Sequence, residues 1–147
     1  MREELSAAIM TKFTAAPGGV NNDLYNYIGG RMYDEDEAPQ DADLPYVTFM
    51  SVSSVPEYPG GKTIEDDLLQ FSLFSASVNE VSKEIKYMLK YLRALYDDCI
   101  LAITGETPIF FIRRNAGSLG TDKEATTKTG TTGIKGYFQE YETQTVK

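Results

Sequence analysis

One apolar stripe constrains this chain more than any other feature. Val78, Val81, Ile85, Met88, Leu89, Leu92 and Leu95 recur at helical spacing, while Lys83, Glu84, Lys86, Lys90 and Arg93 take the remaining faces. A helix of this kind holds only when its stripe is buried, so a second layer must exist to cover it. Ser77-Val78-Asn79-Glu80 fits a capping box: Ser77 would accept from an orphan N–H and Glu80 would reach back. Asp97-Asp98 ends the helix.

Alternating strands supply the second layer. In residues 65–75, Leu69, Phe71 and Leu73 fall on one face, and Leu68, Gln70 and Ser72 on the other. Pro45-Tyr46 opens a strand from Tyr46 to Val52, rich in aromatic and β-branched residues. Residues 109–114 and 134–143 read as two more strands; Tyr137, Gln139 and Tyr141 share one face of the last. Arg31-Met32-Tyr33 is a short strand, and residues 99–103 a short strand or turn. At the N-terminal end, Leu5, Ile9 and Phe13 predict a helix over residues 3–14, halted before Ala16-Pro17-Gly18-Gly19. Residues 22–28 hold a further turn of helix. Strands 46–52 and 65–75 should pair antiparallel, as should 109–114 and 134–143. The expected architecture is α+β: an antiparallel or mixed β-sheet with two main helices on one face and long hairpin loops. The loops are residues 34–44, acidic and holding Pro39; 53–62, with Pro56, Pro59, Gly60 and Gly61; and 116–133, polar and rich in Gly and Thr. The last reads as a long hairpin tip or a mobile loop. Neither an internal repeat nor a linker interrupts the 147 residues, so we expect one domain over 1–147.

Composition narrows the chemistry. There is no His, which removes every mechanism resting on an imidazole base and most zinc sites. The single Cys99 has no internal disulfide partner, which fits a reducing compartment. It lacks a His partner, and Asp97 and Asp98 would raise its pKa, so we expect a buried structural thiol. No apolar run approaches the ~20 residues of a membrane span. Met1-Arg2-Glu3-Glu4 carries acids where a secretory signal needs bases, so we expect a cytoplasmic origin. The net charge of -8 repels phosphate and anionic lipid alike.

The remaining motifs fail on spacing. Gly60-Gly61-Lys62-Thr63 has the end of a phosphate loop, but the pattern needs Gly at the position of Pro56 and a helix afterwards, where a strand follows. Asp34, Glu35, Asp36, Glu37, Asp41 and Asp43 form an acidic loop, yet a calcium loop starting at Asp34 would need Gly and Glu where Pro39 and Pro45 stand. Glu65-Asp66-Asp67 reads as a strand edge charged against mispairing rather than a catalytic pair. We therefore expect no enzyme, metal or cofactor. Two signals point to contacts instead. Arg113 and Arg114, with Lys123, Lys128 and Lys135 near the other hairpin arm, are the one basic cluster; it suits an acidic patch or nucleic acid, and the net charge favours acidic patches on another copy. Tyr87, Tyr91 and Tyr96 sit on or beside the helical stripe, and Tyr137 and Tyr141 on the last strand; tyrosine is enriched at interfaces, though it also flanks cores.

The order of short motifs carries a resemblance. Gly30-Arg31-Met32-Tyr33 follows the first helices, then a loop with Ala38-Pro39, then Leu44-Pro45-Tyr46-Val47 leading into a strand, then Leu69 to Ser75 and the amphipathic helix. This resembles the tail-completion, or tail-terminator, proteins of long-tailed bacteriophages and prophages over nearly the whole chain. The chain departs from them in the acidic stretch between Tyr33 and Pro45 and in the extended 116–133 segment. The resemblance implies a virion protein assembled in the host cytoplasm. It would form a ring, usually of six copies, that caps the tail tube and joins it to the head connector. Partners would be other copies, the tail-tube protein and neck proteins, with DNA only in transit and no membrane. Residues expected at subunit or tail contacts are Tyr58, Lys62, Thr63, Arg113, Arg114, Asp122, Lys123, Lys128, Tyr137 and Tyr141. The acidic 34–43 segment would line the lumen and repel passing phosphates. A head-side neck adaptor or stopper is the nearest alternative, and a small metal- or ligand-binding α+β domain the alternative from another class.

Overall fold

The computed structural model describes residues 3–14, 23–39, 42–57, 64–76, 81–101, 103, 107–108, 111–127 and 130–146, with backbone alone at the hairpin ends. In chain order the elements are α1 (Glu3–Thr14), α2 (Asp23–Ile28), β1 (Met32–Asp34), a 3-10 turn (Glu35–Glu37), β2 (Tyr46–Glu57), β3 (Ile64–Ala76), α3 (Val81–Tyr96), β4 (Thr107–Pro108), β5 (Ile112–Thr127) and β6 (Gly130–Val146). They form one six-stranded sheet in the order β1-β2-β3-β6, with β4 and β5 both on the outer side of β6. β1 runs parallel to β2, and every other pairing is antiparallel. The fold is α+β with a mixed sheet, and both predicted antiparallel pairings are present.

All three helices cover one face. Leu69, Phe71 and Leu73 of β3 and Val47 and Phe49 of β2 point into it and are fully buried. Above them pack Leu5, Ile9 and Phe13 of α1, Leu24 and Ile28 of α2, and Ile85, Met88, Leu92 and Tyr96 of α3. Each such side chain stabilises the fold by about 1.5–3 kcal/mol relative to exposure. Phe71 is the centre: its ring stacks on Tyr96 at 4.8 Å and meets Tyr141 edge-on at 5.8 Å. The Tyr96 hydroxyl is satisfied deep in the core by donating to the Ile9 carbonyl at 2.9 Å, which ties α3 to α1. The opposite face carries Tyr33, Tyr46 and Phe74 in ring contact.

Four readings are corrected or decided. β2 does not end at Val52 but continues to Glu57. A bulge between Ser51 and Ser53 shifts the register by one residue, so the side-chain alternation that marks the strand changes phase there. Pro56 is tolerated because β1 pairs only with Val47 to Phe49, leaving this end of β2 at a sheet edge. Of the two readings of the 116–133 segment the structure takes the hairpin: β5 and β6 continue through most of it, and β5 has three register irregularities. At its start Ala116, Ser118 and Leu119 lie exposed, so burial writes no apolar alternation there. Two glycines follow from the same pairing. A Cβ on Gly136 would stand 2.9 Å from that of Leu119, and one on Gly117 would stand 3.2 Å from the Phe138 ring. Third, Glu65-Asp66-Asp67 is no strand edge, since β3 lies between β2 and β6 and Asp67 is buried. Fourth, of the strand-or-turn alternatives for residues 99–103, the described residues form no strand. After α3 the backbone turns at Asp98, whose φ of 57° is one that Asp tolerates. Asp98 N–H then donates to the Phe111 carbonyl and Phe111 N–H to that of Cys99. The capping-box residues 77–80 lie outside the described residues.

Candidate functional site

The motif words of the sequence meet in space. Arg31 and Pro45 are far apart in the chain, yet the Arg31 guanidinium donates to the Pro45 carbonyl at 3.0 Å and the Leu44 carbonyl at 3.4 Å. Val47 N–H donates to the Arg31 carbonyl, which starts the parallel register Met32↔Val47, Tyr33↔Thr48. The bond between Leu44 and Pro45 is cis. Arg-Met-Tyr and Leu-Pro-Tyr-Val are thus two halves of one sheet-edge joint, a structural unit rather than a reactive one.

The acidic segment does not converge on a point. Asp34 leaves β1 and accepts from the Ser6 hydroxyl at 2.8 Å. Glu35 and Glu37 are exposed on the 3-10 turn. Asp43 is half-buried, and one of its carboxylate oxygens is buried with no hydrogen-bond partner among the described residues. The Asp36 side chain and Asp41 lie outside the described residues. Among the described residues no group of three acidic or thiol side chains is placed to hold a metal ion. No helix there is long and apolar enough to cross a membrane.

The basic cluster and the last-strand tyrosines behave differently from expectation. Arg113 lies 3.3 Å from the Asp97 carboxylate, and Arg114 donates to Glu142 across the β5–β6 pair at 2.8 Å. Both arginines find acidic partners in their own chain, although they remain 46% exposed. Such exposed pairs add only ~0–1 kcal/mol. Tyr141 is no surface residue: it is fully buried, and its hydroxyl donates to Asp97. The inward face of β6 packs against Phe71 and Phe111, and this takes Tyr141 out of reach of a partner. Tyr137 is partly buried against the same core. Tyr58, Lys62, Thr63 and Lys128 lie outside the described residues; Asp122 and Lys123 fall on β5, where the backbone alone is described.

Burial sets the titration behaviour. It raises Tyr141, with the Asp97 hydrogen bond acting in the same direction, and raises Tyr96 well above the usual phenol range. Burial also lifts the Cys99 thiol from 9.0 to about 11; Lys12 opposes this, while Asp97 and Asp98 add to it. A thiol so protonated is a poor nucleophile at neutral pH.

One constellation was missed. Tyr27 of α2 joins Tyr87 and Tyr91 of α3 in a surface cluster, with ring centroids 5.6–6.2 Å apart. Tyr87 and Tyr91 stand four apart beside the helical stripe, a legible signal. Tyr27 required the docking of α2 on α3, which periodicity does not reveal.

No family model and no curated protein sequence matches the chain. A solved structure does match in fold: a chain of the "Virion of native gene transfer agent (GTA) particle", with a TM-score of 0.64 at 13% identity. The match covers 95% of this chain and 94% of that one. The likeness extends over essentially the whole architecture, and at that identity it establishes the fold.

Proposed function

We propose that this chain is a structural virion subunit of the tail-terminator type. Copies of it, six in the leading reading, close into a ring that caps the tail tube and joins it to the head connector. The observation that carries the reading is the end-to-end likeness to a chain of a gene transfer agent virion. The motif order of the sequence points the same way. The surfaces agree with assembly: the β5–β6 ribbon continues past the end of β3, and the inner face of the sheet is filled by core side chains. Work by such a subunit is self-association and docking, with no covalent chemistry at Cys99 or elsewhere.

Electron microscopy of particles assembled with and without this chain tests the role. Without it, full heads should accumulate beside separate tails of unregulated length. Complete particles of normal tail length would contradict the proposal. Heads that lose their DNA, beside tails of normal length, would favour the neck-stopper alternative.

A further inference from the structure

α3 presents a second face that the core does not use. Lys83, Lys86, Tyr87 and Lys90 are exposed on it, and Tyr91 and Tyr27 complete an aromatic patch between them. Among the described residues, none of the three lysines has an ion-pair partner. The adjacent Glu84 accepts from the Ser75 hydroxyl, and its charge also acts on Tyr27 at the edge of the patch. This is an unpaired cationic surface on a chain whose net charge is -8. Tyrosines of this kind supply broad, rigid contact area, and lysines beside them select an anionic partner.

The same chain carries a complement. Glu35 and Glu37 are exposed on the 3-10 turn, and neither is paired among the described residues. That turn follows β1 at one edge of the sheet, whereas α3 packs over β3 and β6 on the helix-covered face. An edge feature of one copy meeting a face of the next is a head-to-tail contact. Contacts of this type propagate around an axis and form a ring when the rotation closes.

We infer that the Lys83–Lys86–Lys90 face of α3, with the Tyr27–Tyr87–Tyr91 cluster, docks the Glu35–Glu37 turn of a second copy. The inference rests on the ring reading and specifies one of its interfaces. It assigns the acidic turn to a subunit contact rather than to a channel wall.

Charge reversal tests it by sedimentation velocity on the full chain at low and moderate salt. Lys83→Glu/Lys86→Glu/Lys90→Glu and, separately, Glu35→Lys/Glu37→Lys should each weaken self-association by about tenfold or more. Combining the two sets should bring it back to within about threefold of wild type. All the residues changed are exposed, so circular dichroism and melting should match wild type, and a lost assembly then reports the contact. If either set leaves assembly unchanged, or the combination fails to restore it, the inference is overturned while the ring reading stands. A wild-type chain that stays monomeric at every concentration would overturn both. Anisotropy of a labelled DNA duplex gives the remaining outcome. Binding that the lysine reversal abolishes, with assembly intact, would make nucleic acid the occupant and overturn the inference.

Discussion

The middle of β3 and the free end of the β5–β6 ribbon use the same antiparallel pairing, yet they are built for different ends. At β3, Leu69, Phe71 and Leu73 are covered by three helices, and strands flank both sides. In the ribbon, β6 residues 130–133 pair with β5 alone, past the point where Ala76 of β3 meets Ile134. Arg113 to Ala116, Ser118 and Leu119 at its base are exposed. Apolar burial dominates stability, so the first region should hold nearly all of it. A two-stranded ribbon in water is marginal on its own, so the second is expected to gain order and use from a partner.

The contrast can be broken most forcefully at its strong end. Phe71→Ala empties the site where Tyr96 and Tyr141 converge and should cost about 3–5 kcal/mol, read from urea unfolding. A loss under about 1 kcal/mol would show that the core is not centred there. Tyr141→Phe keeps the ring and removes the hydroxyl that donates to Asp97, which still has Arg113 beside it. We expect a loss of about 1–2 kcal/mol, with assembly intact because the residue faces inward. An assembly defect without a stability loss would return Tyr141 to the interface.

Alkaline pH sharpens the same point. Below 9.0 the Cys99 thiol is protonated in both the folded and unfolded chain, so it adds no pH dependence. Between 9.0 and about 11 the unfolded chain ionises first and stability falls. Tyr96 and Tyr141, also raised, extend the loss to higher pH. Alkylation of the native thiol should therefore keep accelerating beyond pH 9.0 and level off near about 11. A plateau at the lower value would mean an open thiol.

The smallest stability effect belongs to the ribbon. Asp122 pairs with Ile134, so residues 123–133 can be replaced by an Asn-Gly turn that closes the shortened hairpin. Unfolding free energy should change by about 1 kcal/mol or less, while tail joining is lost. Retained joining would remove the ribbon from the docking surfaces.

The two regions also differ in how far they could be read beforehand. The α3 stripe and the Leu69-Phe71-Leu73 alternation were legible because each has a buried and a wet side, and burial writes a period into the sequence. Where the ribbon begins, Ala116, Ser118 and Leu119 are exposed, so burial writes no period there, and its Gly and Thr residues read equally as a hairpin tip or a loop. β2 beyond Val52 was hidden by the bulge, which reverses the alternation without breaking the strand. Cross-chain geometry was the other blind spot. Arg113 and Arg114 are a visible basic pair, but that Asp97 and Glu142 stand beside them depends on the β5–β6 register and on where α3 ends. Tyr141 looked like its neighbour Tyr137 because alternation puts both on one face; only the packing of Phe71 and Phe111 around it shows that face to be inside.

The central claim is that a stable single-sheet subunit closes into a ring with its copies. Negative-stain electron microscopy of the purified chain over a range of concentrations tests this most directly. The account predicts closed rings with an open centre, six-fold in the leading reading; single compact particles at every concentration, or open filaments that never close, would contradict it.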